Sequence, residues 1–241
     1  MRVLVIGGSG YVAGLILPVL TARHEVTVLD PRPSAGGAHT HLTGSATDPV
    51  ALTAAMDGAD VVLHTALANP TGRQLADAAR AFDINVTSVH LALAAAHQAG
   101  VPHAVHLSSL SVFRDLTSRA LDETVPPDAT DPYGLTKRLA EQVCHAAVAQ
   151  WDMSVTVLRL AWPTTDEAWP AWALPGRPPR THTLDGAPVH ALAADDLARA
   201  VLAALEHRAG YDVFHITGTD RAGLWNQAKA RDLLHWEPRR R

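Results

Sequence analysis

The sequence predicts an α/β fold: a doubly wound parallel sheet with a small C-terminal part. Three observations predict it. Short continuous apolar runs, often β-branched, alternate with Ala/Leu-rich stretches of helical length through the first two thirds of the chain, as in strands covered by helices on both faces. The first apolar run flows into Gly7-Gly8-Ser9-Gly10 and then into a helical pattern, and the second ends on Asp30. The chain of 241 residues, 47% hydrophobic and 18% charged, suits one domain with a sizeable core, alone or with a small appendage.

In chain order, strands are expected at Val3–Ile6, Val26–Leu29, Val61–His64, Ala104–Leu107 and Val155–Leu160. Helices are expected near 11–22, 49–57, 74–99 and 134–150, with Gly100 stopping the third. Such alternation implies right-handed crossovers. After Leu160 the texture changes: residues 161–188 are rich in Pro, Trp and Gly, and long irregular segments in compact proteins are commonly functional. A helix then opens at Asp195-Asp196-Leu197, its acids placed against the helix dipole. A strand follows at Asp212–Ile216 and a short helix near 224–234. The expected division is a nucleotide-binding domain over 1–160 that also takes in 189–217, with 161–188 and 218–241 forming a small substrate-binding part.

Composition excludes several classes of function. The formal charge is −4, and no basic run exceeds Arg239-Arg240-Arg241, so no stripe for nucleic acid is present. No apolar stretch reaches membrane-spanning length. The N-terminal run reads as a first strand rather than a secretion signal. The single cysteine, Cys144, reads as a small buried residue and fits a reducing, cytoplasmic setting. Fourteen histidines show neither the helical spacing nor the companion cysteines of a zinc site, so no metal is expected.

Two constellations carry chemistry. Gly7, Gly8 and Gly10 permit a tight strand-to-helix turn whose backbone N–H groups approach a pyrophosphate. Asp30, some twenty residues further on, accepts hydrogen bonds from ribose hydroxyls and repels a 2′-phosphate, which favours NAD over NADP; Arg32 close by works against that preference. The second is Tyr133-Gly134-Leu135-Thr136-Lys137, a phenol and an ammonium one helical turn apart. A cation beside a tyrosine favours the phenolate, so the pair suits proton abstraction from a hydroxyl. With three tyrosines and two lysines in the chain, shuffling produces this spacing in only about 2–3% of sequences. All other basic residues are arginines, and a compact point charge suits this place.

The chain resembles extended short-chain dehydrogenases/reductases of the NAD-dependent epimerase/dehydratase family. The resemblance runs over nearly the whole length: Gly7-Gly8-Ser9-Gly10-Tyr11-Val12, Asp60-Val61-Val62-Leu63-His64-Thr65-Ala66, Asn85-Val86-Thr87, Ser108-Ser109-Leu110-Ser111-Val112-Phe113, Tyr133 to Lys137, Leu158-Arg159 and Asp195-Asp196-Leu197. It implies a Rossmann-type fold with Tyr133 as catalytic tyrosine and Lys137 as the lysine that lowers its pKa and holds the nicotinamide ribose. It further implies Ser109 (or Ser108) as the hydroxyl on the reacting oxygen, and Asn85 in a proton relay. Gly7, Gly8, Ser9, Gly10, Tyr11, Val12, Asp30, Thr65, Ala66, Leu67, Leu107 and Trp162 are the implied cofactor contacts, with Tyr133 and Lys137. A homodimer through the helices around 74–99 and 134–150 is implied as well.

Three positions depart from the family pattern. Ala13 stands for the third glycine of the turn, Ser45 for an adenine-contacting aspartate, and Ala193 for a histidine. The short C-terminal part leaves little protein to enclose a second nucleotide, so a small sugar-like substrate is expected. Trp162, Trp169 and Trp172 are candidates to stack on it, and Arg177 or Arg180 to hold a carboxylate. The expected activity is NAD-dependent hydride transfer at a secondary alcohol or carbonyl. The alternatives are an epimerase with tightly bound NAD and a non-catalytic NAD(P)-sensing regulator.

Overall fold

A computed structural model describes residues 1–34, 37–70, 74–184, 186–219 and 223–239, so Arg240 and Arg241 of the terminal arginine run lie outside the described residues. The elements are β1 (Arg2–Ile6), α1 (Tyr11–Thr21), β2 (Glu25–Leu29), β3 (Thr40–Leu42), α2 (Pro49–Ala55), β4 (Val61–His64), α3 (Leu75–Phe82), α4 (Ser88–Gln98), β5 (His103–Ser109), α5 (Pro132–Gln150), β6 (Ser154–Leu160), β7 (Pro163–Thr164), β8 (Leu192–Ala193), α6 (Ala194–Glu206), β9 (Tyr211–Ile216) and α7 (Ala228–Leu234). Seven strands form one parallel sheet in the order β3-β2-β1-β4-β5-β6-β9. The order reverses between β1 and β4, and a crevice at the carboxyl ends of strands opens at such a point. The doubly wound expectation is met.

Each face of the sheet carries its own core. Ile16, Leu20, Leu197, Val201 and Leu234 bring α1, α6 and α7 onto one face. Leu52, Val89, Leu93, Ala140 and Cys144 bring α2, α4 and α5 onto the other. A third cluster, with Leu110, Val112, Phe113, Leu121 and the fully buried Trp225, underlies the segments beyond the strand ends. Burial in an apolar site pushes the Cys144 thiol far above its ordinary pKa, so it is an inert packing residue. At the far end, Trp236 Nε1 donates to Asp196 O at 2.9 Å, and Asp196 also accepts from Arg239 N at 2.9 Å, holding the C-terminal stretch on α6. No described helix is long and apolar enough to cross a membrane.

The structure revises two expected elements and adds an edge strand, β3, that was not expected. The stretch at 74–99 is α3 and α4 joined by a π-helical turn, Asp83–Thr87, where Asn85 turns inward to bond a neighbouring loop. β3 has only three residues and a polar sequence, so it carries no apolar run to mark it. The last helix begins at Ala228 rather than near 224, because Trp225 bridges to Leu121 and the buried Gln227 side chain is tied to Thr217 O at 3.1 Å.

Candidate active site

A cleft of about 750 Å³ lies across the carboxyl ends of the central strands, running from Gly7, Gly10 and Asp30 at one end to Ser109, Tyr133 and Lys137 at the other. At the first end, Gly7 (φ +84°) bonds Leu29 O at 2.9 Å, and a methyl group at this position would collide with the backbone of Ala66. Both backbone conformation and space therefore require glycine. A methyl at Gly8 would meet the Val28 side chain, so this residue serves the close seating of the turn on β2. Gly10 caps α1 without a side chain, and the first turn carries no acid. The positive helix end is left to an outside anion.

Asp30 is buried at the tip of β2. Its carboxylate accepts from Ser9 N at 3.1 Å and Arg32 N at 2.9 Å, with Arg32 Nε at 3.5 Å. Thr65, Ala66 and Leu67 form the wall beside the turn, and Thr65 Oγ1 donates to Ile6 O at 2.9 Å and Gly7 O at 3.0 Å. Tyr11 and Val12 also line the cleft, and the Tyr11 hydroxyl donates to Ala173 O at 2.7 Å, tying the turn to the 161–188 segment. A glycine cradle, an uncapped helix start and a carboxylate at the tip of the second strand fit a dinucleotide.

The other end is built by β5 and α5. Pro132 opens α5, and Asp131 caps it by accepting from Tyr133 N at 3.1 Å and Gly134 N at 3.0 Å. A side chain on Gly134 would collide with the carbonyl of Ser111, so glycine lets the helix start press against the turn after β5. That approach brings the Tyr133 and Ser109 side chains together at the wall of the cleft. Burial raises the Tyr133 pKa, while the bond to Ser109 lowers it. Lys137, one turn on, is buried, and its Nζ donates to Leu107 O at 2.8 Å. Burial pulls the Lys137 pKa down to about 8, opposed in part by the Glu141 charge. His64 and His106, register partners on β4 and β5, lie beneath; burial and the Lys137 cation keep both neutral.

The structure separates the two serines. Ser109 caps a short turn, accepting from Ser111 N at 3.1 Å, and lies with Tyr133. Ser108 points to α5 and donates to Glu141 Oε1 at 2.7 Å. Glu141 is also paired with Arg159 of β6, Nη2 to Oε2 at 2.8 Å and Nε to Oε1 at 3.0 Å, with both side chains almost fully buried. This pair ties β5, α5 and β6 together under the site, and sequence reasoning did not single it out. The signal present was Glu141 at i+4 from Lys137, on the same helix face. The Asn85 side chain is fully engaged: Oδ1 accepts from Ala68 N, Nδ2 donates to Ala68 O, both at 2.8 Å, and Nδ2 reaches Thr136 Oγ1 at 3.0 Å. It joins the loop after β4 to α5.

Leu107, Trp162 and Arg177 also line the cleft. Trp169 does not; its backbone turns back to Thr165 O at 3.2 Å, and Trp172, held by paired backbone bonds to Arg180, takes the wall position instead.

The NAD dependent epimerase/dehydratase family matches residues 3–163. The chain belongs to this family. Among curated relatives, a 3 beta-hydroxysteroid dehydrogenase/Delta 5→4-isomerase of Mycobacterium tuberculosis is 38% identical over 58% of this chain, which spans 41% of that protein. A UDP-glucose 4-epimerase of Bacillus subtilis is 27% identical over 66% of this chain and 52% of its own length. The chain therefore matches about half, or less, of the length of these relatives. In structure, a short-chain dehydrogenase/reductase superfamily protein from Agrobacterium tumefaciens with bound NAD superposes with TM-score 0.81 at 22% identity, covering 99% of this chain and 92% of that one. A UDP-glucose 4-epimerase from Thermotoga maritima gives TM-score 0.79 at 20% identity, covering 99% and 94%. At these identities the superpositions establish the fold. In this member of the epimerase/dehydratase family, Ser109, Tyr133 and Lys137 meet at one end of the cleft and the glycine turn lies at the other.

Proposed function

We propose that this chain is an NAD-dependent oxidoreductase that transfers hydride at a secondary alcohol or carbonyl of a small ring-shaped substrate. The observation that carries this reading is that Ser109, Tyr133 and the buried Lys137 line the same cleft as the glycine turn, with Lys137 one helical turn from the tyrosine. NAD, when bound, supplies the acceptor for the hydrogen that leaves the alcohol carbon as hydride. Gly7, Gly10 and the start of α1 would hold its pyrophosphate, Asp30 its adenosine ribose, and Lys137 its nicotinamide ribose. Ser109 holds the reacting oxygen. Tyr133 takes the hydroxyl proton as the C–O bond becomes C=O, and returns it when the reaction runs backwards. The positive charge of Lys137 favours the phenolate.

The 161–188 and 218–241 segments are the proposed substrate part. Of the candidates named for the substrate, Trp162, Trp172 and Arg177 stand in the cleft wall and serve it there, whereas Trp169 lies outside that wall. An epimerase that retains its NAD is a second reading, favoured by the Tyr11–Ala173 bond that fastens the cover to the cofactor turn. It uses the same three residues. A sensor would have no use for them. We assign a homodimer through the helices of 74–99 (α3 and α4) and 134–150 (α5), and a cytoplasmic location, on family grounds.

The reading predicts a pH profile. Alcohol oxidation is sustained while Lys137 keeps its charge, because the cation supports loss of the Tyr133 proton. It declines near pH 8, where Lys137 becomes neutral and stops supporting the phenolate. In Lys137→Arg the cation no longer titrates, and the alkaline limb should disappear. An alkaline limb unchanged in that variant would contradict the assignment.

A further inference from the structure

Beside the cofactor cleft lies a second, open-mouthed cavity of about 320 Å³, lined by Trp162, by side chains between Trp172 and Leu184, and by Val189. Its framework is a pair of hairpin contacts, Trp172 with Arg180 and His182 with Pro188. Trp162, Trp172, Leu174 and Arg177 line both cavities, so the space is an extension of the catalytic cleft.

The lining divides by chemistry. The walls shared with the cleft and the floor are apolar: Trp162, Trp172, Leu174 and the buried Val189; His182 and Thr183 add polar side chains, of which Thr183 Oγ1 bonds Ala187 O at 3.1 Å and His182 Nδ1 bonds Thr181 Oγ1 at 3.1 Å. Leu184, on the rim, is 93% exposed. Arg177 and Arg180 stand at the rim with exposed side chains, and no carboxylate occurs among the described lining residues. Trp172 Nε1 is buried without a hydrogen-bond partner among the described residues, an unpaired donor that a protein leaves only at a cost.

A sugar ring asks its site for many hydrogen bonds, and these walls offer few. Flat indole faces and aliphatic side chains suit a planar apolar ring, and guanidinium groups on the rim suit a carboxylate. We infer that this second cavity is a subsite for the far end of the substrate, and that this end is an apolar ring system carrying one anionic group. The ring lies between Trp162, Trp172 and Leu174, and the anion meets Arg180 and Arg177. The subsite deepens the oxidoreductase reading above and rests on it for the reacting end of the molecule, whereas binding of the far end is measurable without turnover. It replaces the free sugar expected from the sequence with a ring alcohol that carries an apolar, acidic far end.

The test is calorimetric titration of the purified chain with 2-naphthoate, its neutral isostere 2-naphthamide, and glucuronate, with and without NAD. 2-Naphthoate is expected to bind about tenfold or more tightly than 2-naphthamide, and glucuronate not measurably. Arg180→Glu and Leu184→Glu alter exposed side chains, so folding is not at stake. Each should abolish the preference for naphthoate while leaving NADH affinity unchanged. Glucuronate binding as tightly as naphthoate would overturn the apolar class. Equal binding of naphthoate and naphthamide, or no effect of Arg180→Glu, would overturn the anionic end. Naphthoate binding as expected in a protein that oxidises no alcohol would uphold the subsite and sink the reaction assigned to its neighbour.

Discussion

Tyr133→Phe should lower turnover by about a hundred- to ten-thousand-fold, the range that a positioned acid–base group contributes, with NADH affinity unchanged. The substitution removes one oxygen atom and keeps the ring, so the seat of α5 on the turn after β5, set by Asp131 and Gly134, is preserved. Ser109 loses its partner, and a bound alcohol loses the acceptor for its proton. Steady-state rates on an active ring alcohol, together with NADH titration of the same preparation, separate chemistry from binding. Turnover equal to that of the unaltered chain would remove Tyr133 from the reaction.

The largest expected effect on stability lies beneath the site. Glu141→Ala leaves the Arg159 guanidinium buried with no carboxylate and takes the acceptor from Ser108. Breaking a buried pair from one side costs about 3–5 kcal/mol. For a chain of this size, that lowers Tm by roughly 10 °C. The double variant Glu141→Met/Arg159→Met removes both charges and keeps volume, so it should recover most of the loss. Thermal unfolding of the three proteins decides the matter: a double variant no more stable than the single one would show that charge pairing is not what Glu141 contributes.

What is legible in the sequence follows from where the information resides. The glycine turn, Asp30 and the Tyr133–Lys137 pair are local patterns, each complete within a few residues or a fixed offset, and the structure gathers them around one cleft. The five strands expected up to residue 160 recur with ends moved by at most two residues, because buried parallel strands are continuous apolar runs. The Glu141–Arg159 pair was not legible in this way. Its partners lie on a helix and a strand, 18 residues apart, and only the parallel register of β5 with β6 brings Ser108 and Arg159 side by side. The choice between Ser108 and Ser109 was similarly open, since adjacent strand residues face opposite ways and only the position of α5 shows which one meets the tyrosine. Trp169 and Trp172 are equivalent as letters. A hairpin closed by Arg180 decides which of them reaches the cleft.

The central claim is that the cleft between Gly7 and Tyr133 holds NAD. Its most direct test is titration of the purified, nucleotide-stripped chain with NADH and with NADPH, followed by nicotinamide fluorescence. Saturable binding of NADH at one site per chain, tighter than that of NADPH because Asp30 stands where a 2′-phosphate would fall, is the predicted result. Absence of saturable binding for both nucleotides would contradict the account.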